Sequence, residues 1–110
     1  MVPYDKRSGK IWYNSELVDW ADAKIHVLNH GLHYASCVFE GERVYDGEIF
    51  KLEEHTDRLF YSAIRMGIAV PYNKEEINKA CKNIVHLQSS YIHHMNRAEH
   101  TGWLTPSHAL

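Results

Sequence analysis

The apolar residues of this chain change their spacing once, at Leu52, and that switch limits what the chain can fold into. Upstream of it lie short β-prone runs broken by turn residues. Ile11-Trp12-Tyr13 and Leu17-Val18-Asp19-Trp20 flank Asn14-Ser15-Glu16, a pattern that predicts a hairpin. Ala21 to Lys24 then reads as a connecting turn. Val38-Phe39 and Arg43-Val44-Tyr45 precede Asp46-Gly47 and Glu48-Ile49-Phe50, and Asp-Gly between such runs is a strong hairpin signal because glycine relieves the steric cost of positive φ. Downstream, Leu52, Thr56, Leu59, Ala63 and Met66 recur at helical spacing, and Gly67 stands where a C-terminal cap belongs. A second helix is predicted after Asn73, with Glu76 completing a capping box and Ile77, Ala80, Cys81, Ile84 and Val85 forming the buried face. Ser90-Tyr91-Ile92 is expected to begin another strand. The order predicts an α+β domain, with two helices packed on a mainly antiparallel sheet.

Size and charge narrow the functions open to such a domain. At 110 residues the chain is one small domain, and 45% apolar with 24% charged residues is the mix of a globular protein rather than a disordered one. Twelve Lys plus Arg against fourteen Asp plus Glu give a formal charge of −2, without the basic stripe that a phosphate backbone demands, so nucleic acid is not an expected partner. Met1 to Lys10 reads as an irregular lead, with charges and Pro3 where a signal peptide needs an apolar core. No apolar run approaches a membrane span, so no membrane association is expected. Cys37 and Cys81 lie far apart with no second pair, which fits a reduced, cytoplasmic setting and small core residues rather than nucleophiles.

Nine histidines are the compositional oddity. His26, His30 and His33 would share roughly one face of a helix and offer ligands to zinc. Asn29, Gly31 and the β-prone residues that follow argue against a helix there, and no Cys or carboxylate adjoins them as a fourth ligand. Polar histidines near a sheet edge are therefore the expectation, and no metal site is. His93, His94, His100 and His108 fall in a stretch without strand or helix periodicity. Arg58 lies at the edge of the first helical stripe, one turn after His55. A guanidinium there can point into a cleft and grip a phosphate through two hydrogen bonds. From spacing alone the plainer reading is a surface arginine paired with Glu54 at i,i+4. Neither a G-x-x-x-x-G-K nor a G-x-G-x-x-G phosphate loop occurs, and Gly31, Gly41 and Gly47 read as turn or bulge positions.

Several motifs, taken in order, resemble one family. Ile11-Trp12-Tyr13-Asn14 and Trp20-Ala21-Asp22-Ala23-Lys24-Ile25-His26-Val27 are similar to the opening of bacterial branched-chain aminotransferases. Gly31-Leu32-His33-Tyr34, Val38-Phe39-Glu40-Gly41-Glu42-Arg43-Val44-Tyr45 and His55-Thr56-Asp57-Arg58-Leu59-Phe60-Tyr61-Ser62-Ala63 follow in the family's sequence. The resemblance implies the small N-terminal domain of a fold-type IV pyridoxal 5′-phosphate enzyme, whose subunits form a homodimer or a larger assembly. It also implies transfer of the amino group of Leu, Ile or Val to 2-oxoglutarate, with amino acids and 2-oxo acids as small-molecule partners. By this resemblance Arg58 binds the cofactor phosphate, which displaces the surface-pair reading. Phe39 and Gly41 line the substrate side-chain pocket, Tyr91 joins them, and Tyr34 reaches toward the neighbouring subunit's site. An aromatic, apolar wall of that kind favours branched side chains by burial, roughly 0.8 kcal/mol per methylene.

Past Ile92 the pattern departs. The family continues Tyr-Ile with Arg-Pro and an apolar strand, whereas this chain has His93-His94-Met95. The expected division is therefore an aminotransferase domain over 1–92 and a divergent, poorly ordered tail over 93–110. The cofactor-bearing lysine belongs to the family's second domain, which also supplies much of the cofactor cup. Lys51, Lys74, Lys79 and Lys82 match no such motif, so no catalytic residue is expected within this chain. The expectation is a chain cut short, as by a frameshift after Ile92, and inactive by itself. The alternative is a non-catalytic module that dimerises or pairs with a full-length relative through the Tyr34 surface.

Overall fold

A computed structural model describes residues 2–92. After a single 3₁₀ turn at Tyr4–Lys6, strands β1 (Lys10–Tyr13) and β2 (Glu16–Asp19) form the first hairpin. They pair antiparallel, Lys10 opposite Asp19 and Tyr13 opposite Glu16. The turn residues Asn14 and Ser15 both have positive φ, 49° and 73°, as the two-residue turn that matches strand twist requires. A second 3₁₀ turn at Trp20–Asp22 leads to the short helix α1 (His30–Tyr34). Strands β3 (Val44–Tyr45) and β4 (Glu48–Ile49) close over Asp46-Gly47, again with positive φ at both turn residues. Two longer helices follow, α2 (Leu52–Arg65) and α3 (Lys74–Ile92).

The two helices make the core. Leu52, Leu59 and Ala63 of α2 pack with Ile77 and Ile84 of α3, all buried, and Thr56 joins them by donating its hydroxyl to Asn78 Oδ1. Both ends that the sequence marked are built as expected. Gly67, at φ 71°, donates its amide to the Ile64 carbonyl, and the Ile68 amide reaches Ala63, which satisfies the last carbonyls of α2. At the start of α3 the Asn73 side chain accepts from the Glu76 amide at 2.8 Å, and the Glu76 carboxylate accepts from the Asn73 amide at 3.0 Å. The first hairpin is tied to α3 and to the loop before it. Gln88 Nε2 donates to the Lys10 carbonyl at 2.8 Å, while Trp12 meets the Tyr72 ring edge-on and Ser15 donates to the Tyr72 hydroxyl.

The α+β class holds, and both ladders are antiparallel, but five local expectations change. Among the described residues the strands form two separate two-stranded ladders rather than one sheet. Val38-Phe39 lies in an extended segment without a ladder partner there. Residues 30–34 are helical although Asn29 and Gly31 speak against a helix there, because the Asn29 side chain caps the turn by accepting from the Gly31 amide at 2.9 Å. Ser90-Tyr91-Ile92 continues α3 instead of opening a strand, since neither Gly nor Pro interrupts the helix before it. Met66, assigned to the buried stripe, is exposed where α2 ends. The expected tail over 93–110 lies outside the described residues.

Candidate functional site

The site begins with a side-chain alternation. From Ser36 to Tyr45 burial alternates strictly: Ser36, Val38, Glu40, Glu42 and Val44 turn inward, while Cys37, Phe39, Gly41, Arg43 and Tyr45 are exposed. This is the two-residue period of an extended chain, so one segment presents two different faces. Its inward face carries a carboxylate in the place of a core residue, and a buried carboxylate must find donors.

Glu40 finds them on α2. Arg58 Nε donates to Glu40 Oε1 at 2.7 Å and Arg58 Nη2 to Oε2 at 2.6 Å, the parallel pair that a guanidinium fork and a carboxylate form best. His55 lies one turn before Arg58 on the same helix face, and its Nδ1 is 2.7 Å from Glu40 Oε2. A carboxylate only accepts, so the tautomer follows: Nδ1 carries the proton and donates. The Glu40 side chain is 7% exposed and that of Arg58 65%, so the acid is sunk and the base reaches outward. The hydrogen bond from Arg58, aided by that from His55, outweighs burial and holds the Glu40 carboxyl below its usual range; the same bond raises Arg58. The expected Glu54 partner is not used, since Glu54 pairs with Lys51 at 3.9 Å.

Around this cluster the inner face is drier. Glu42 Oε2 is buried with no hydrogen-bond partner among the described residues, and burial pushes its carboxyl up. Cys81 on α3 is pushed up to about 12, first by burial and then by the Glu42 charge, which makes its thiol a poor nucleophile. Cys37, expected in the core, is exposed because it falls on the outward half of the alternation.

The remaining sequence candidates lie on outward surfaces. Phe39 and Gly41 flank Glu40 and face the other way, Phe39 at 68% exposure. Tyr34, 72% exposed, stands on α1 with its ring stacked near His30 at 4.6 Å. Tyr91 is placed by its backbone in the last turn of α3. Of the histidines weighed for zinc, His26 Nδ1 accepts from the Leu28 amide and His33 Nε2 bonds the Val27 carbonyl, so each serves the local turn. No group of three or more His, Cys, Asp or Glu among the described residues is arranged for a metal. No helix among the described residues is long and apolar enough to cross a membrane. A shallow, open depression between α2 and α3 also touches Arg58; Glu54 and Asp57 line it together with Lys74, which pairs with Asp57 at 2.9 Å.

With that geometry in view, the family of class IV amino-transferases matches residues 37–106, which include Phe39, Glu40, Gly41, His55 and Arg58. The chain belongs to the class IV aminotransferases. The match runs past Ile92 to residue 106. Among named members, the branched-chain-amino-acid aminotransferase of Pseudomonas aeruginosa is 51% identical over 96 residues, a match covering 81% of this chain and 31% of that one. Solved class IV structures agree in fold. The branched-chain aminotransferase of the archaeon Thermoproteus uzoniensis, with norvaline, aligns at TM-score 0.70 and 40% identity, covering 74% of this chain and 29% of that one. The branched-chain amino acid aminotransferase of Escherichia coli aligns at TM-score 0.69 and 39% identity, covering 73% and 28%. This class IV chain thus spans about a third of the length of the relatives it matches. Glu40 was the site residue that sequence reading passed over, although a charge at an inward position of an alternating run was the signal for it.

Proposed function

We propose that this chain supplies the cofactor-phosphate ligand and one wall of the substrate pocket of a branched-chain aminotransferase. The assembled enzyme transfers the amino group of Leu, Ile or Val to 2-oxoglutarate in the cytoplasm, as a homodimer or larger assembly. The observation that carries the reading is Arg58: a guanidinium gripped from behind by a buried carboxylate, with its far end toward solvent.

The donor set fits a phosphate monoester. Arg58 has five N–H groups, and Glu40 occupies two, leaving outward donors for phosphate oxygens. Pyridoxal 5′-phosphate, when bound, supplies the electron sink for amino-group transfer. A solved relative of this fold, 38% identical to the chain, is complexed with N-(5′-phosphopyridoxyl)-L-glutamate. The chain's own residues bind and orient. Arg58 fixes the phosphate end, while Phe39 and Tyr91 offer apolar surface to a branched side chain and Gly41 leaves room for it. Tyr34, on its exposed helix, reaches a neighbouring subunit. Lys51, Lys74, Lys79 and Lys82 match no cofactor-bearing motif, so the 110 residues alone should not transaminate. The division into a domain over 1–92 and a separate segment over 93–110 belongs to the same proposal.

A chimera tests this. Joining this chain to the remaining two-thirds of the Pseudomonas aeruginosa relative should give leucine–2-oxoglutarate transamination, while the chain alone gives none. In the chimera Arg58→Ala should weaken the cofactor at least tenfold, the scale of a lost charge-assisted bond. A folded but inactive chimera, or full cofactor affinity without Arg58, would overturn the reading. The exposed apolar side chains around Tyr34 also favour a second reading, a non-catalytic pairing module. Co-purification with an intact aminotransferase, alongside an inactive chimera, would select it.

A further inference from the structure

We infer that Glu40 is a positioning residue that turns Arg58, so that an incoming phosphate meets only the end edge of the guanidinium, Nη1 and Nη2. This rests on Arg58 being the phosphate ligand. A guanidinium has a side edge, formed by Nε and one terminal nitrogen, and an end edge formed by both terminal nitrogens. Glu40 takes the side edge completely, with Oε1 on Nε at 2.7 Å and Oε2 on Nη2 at 2.6 Å. His55 also holds Oε2, at 2.7 Å, so both oxygens of the carboxylate are tied to α2. The two-bond grip that phosphate was expected to make is therefore already made, on that edge, by the protein.

Among the described residues the pair is the most uneven in exposure; in Lys10–Asp19, at 36% and 65%, neither partner is buried. Lys6–Asp5 and Lys74–Asp57 join side chains that are all more than half exposed, as solvated surface pairs do. In Glu40–Arg58 only the arginine is exposed. A buried acid needs donors whatever its role; what is particular here is that its principal partner projects outward, as an anchored side chain meant for an outside ligand would. Arginine is long and loses much rotamer freedom when it binds, and an anchor removes that loss beforehand. Glu40 also lies between Phe39 and Gly41, so the pocket wall and the phosphate grip are mounted on one stretch of backbone.

The test is arginine side-chain NMR on the full 110-residue chain, with inorganic phosphate as the probe. Arg65 is the internal comparator, because its Nε donates to the neutral hydroxyl of Tyr61 at 3.1 Å. Arg58 Nε–H should exchange with solvent roughly tenfold more slowly than Arg65 Nε–H, the ratio a charge-assisted bond supports. Phosphate should shift the Arg58 Nη signals and leave Nε nearly still. Glu40→Gln keeps the shape and removes the charge; Nε–H should then exchange about tenfold faster, and phosphate should begin to move Nε. Glu40→Asp should recover part of the protection, which loss of a merely space-filling group would not. Equal exchange at Arg58 and Arg65, phosphate moving Nε in the wild type, or a folded Glu40→Gln with Nε still slow would each overturn the inference. If Glu40→Gln unfolds, the two wild-type measurements decide. A slow Nε with no phosphate effect anywhere on Arg58 leaves the anchor standing and removes Arg58 as the phosphate ligand instead.

Discussion

The helical pair α2–α3 and the segment from Ile25 to Phe39 both carry many apolar residues, and those residues meet opposite fates. Leu59 of α2 is 2% exposed, while Leu28 is 71% exposed and Val27, Leu32 and Tyr34 are also open to solvent. The helices complete each other's apolar stripes within the chain. The front segment has none of its large side chains covered to that degree, and an apolar surface of this kind is where a further domain or subunit would dock. Stability in this chain therefore sits in one region and the proposed recognition surface in the other.

Leu59→Ala should have the largest effect, about 2–5 kcal/mol in urea or thermal unfolding, from lost transfer and the cavity left behind. A smaller loss would mean that the helical pair is not the stabilising region. Glu40→Gln links the two regions and should cost on the order of 1 kcal/mol at pH 7, after allowing for the exposed guanidinium. Its sign with pH is fixed. Because the Glu40 carboxyl is held below its usual 4.5, its stabilisation is complete above that value and drains as pH falls through the lowered one. Wild type and Glu40→Gln should thus converge in acid. Glu42 is shifted the other way, so Glu42→Gln should stabilise the chain at pH 7 and lose that advantage below its ordinary value. Asn73→Ala should cost about 1 kcal/mol by removing the cap of α3. Leu32→Ser, in the front segment, should change stability by less than about 0.5 kcal/mol. If it matches Leu59→Ala, the comparison between the regions fails.

What was legible in the sequence was local. Asn14-Ser15 and Asp46-Gly47 specify their turns by backbone sterics, and Gly67 and the Asn73–Glu76 pair specify helix ends through neighbours a few residues away. The less legible features depend on distant partners or on one competing local bond. Helix α1 forms because the Asn29 cap outweighs the glycine that argued against it. The single expected sheet is replaced because strand composition at Val38-Phe39 says nothing about which strand will pair with it. Arg58 stands at the boundary of the α2 face, but the partner expected one turn away, Glu54, pairs with Lys51 instead. The right one, Glu40, is eighteen residues away, and only the fold brings it beneath α2.

The two-sided segment from Ser36 to Tyr45 works as a counting frame. Even-numbered residues there brace the domain, and odd-numbered ones are offered to whatever lies outside. Substitutions can vary one set without touching the other, so the pocket wall proposed at Phe39 can be retuned for a different side chain while Glu40 keeps its hold. A single inserted or deleted residue has no such freedom. It would trade every address at once, turning the carboxylate outward and an aromatic ring inward. Lineages of this domain should therefore differ here by replacement, or by gaps of two, and rarely by gaps of one.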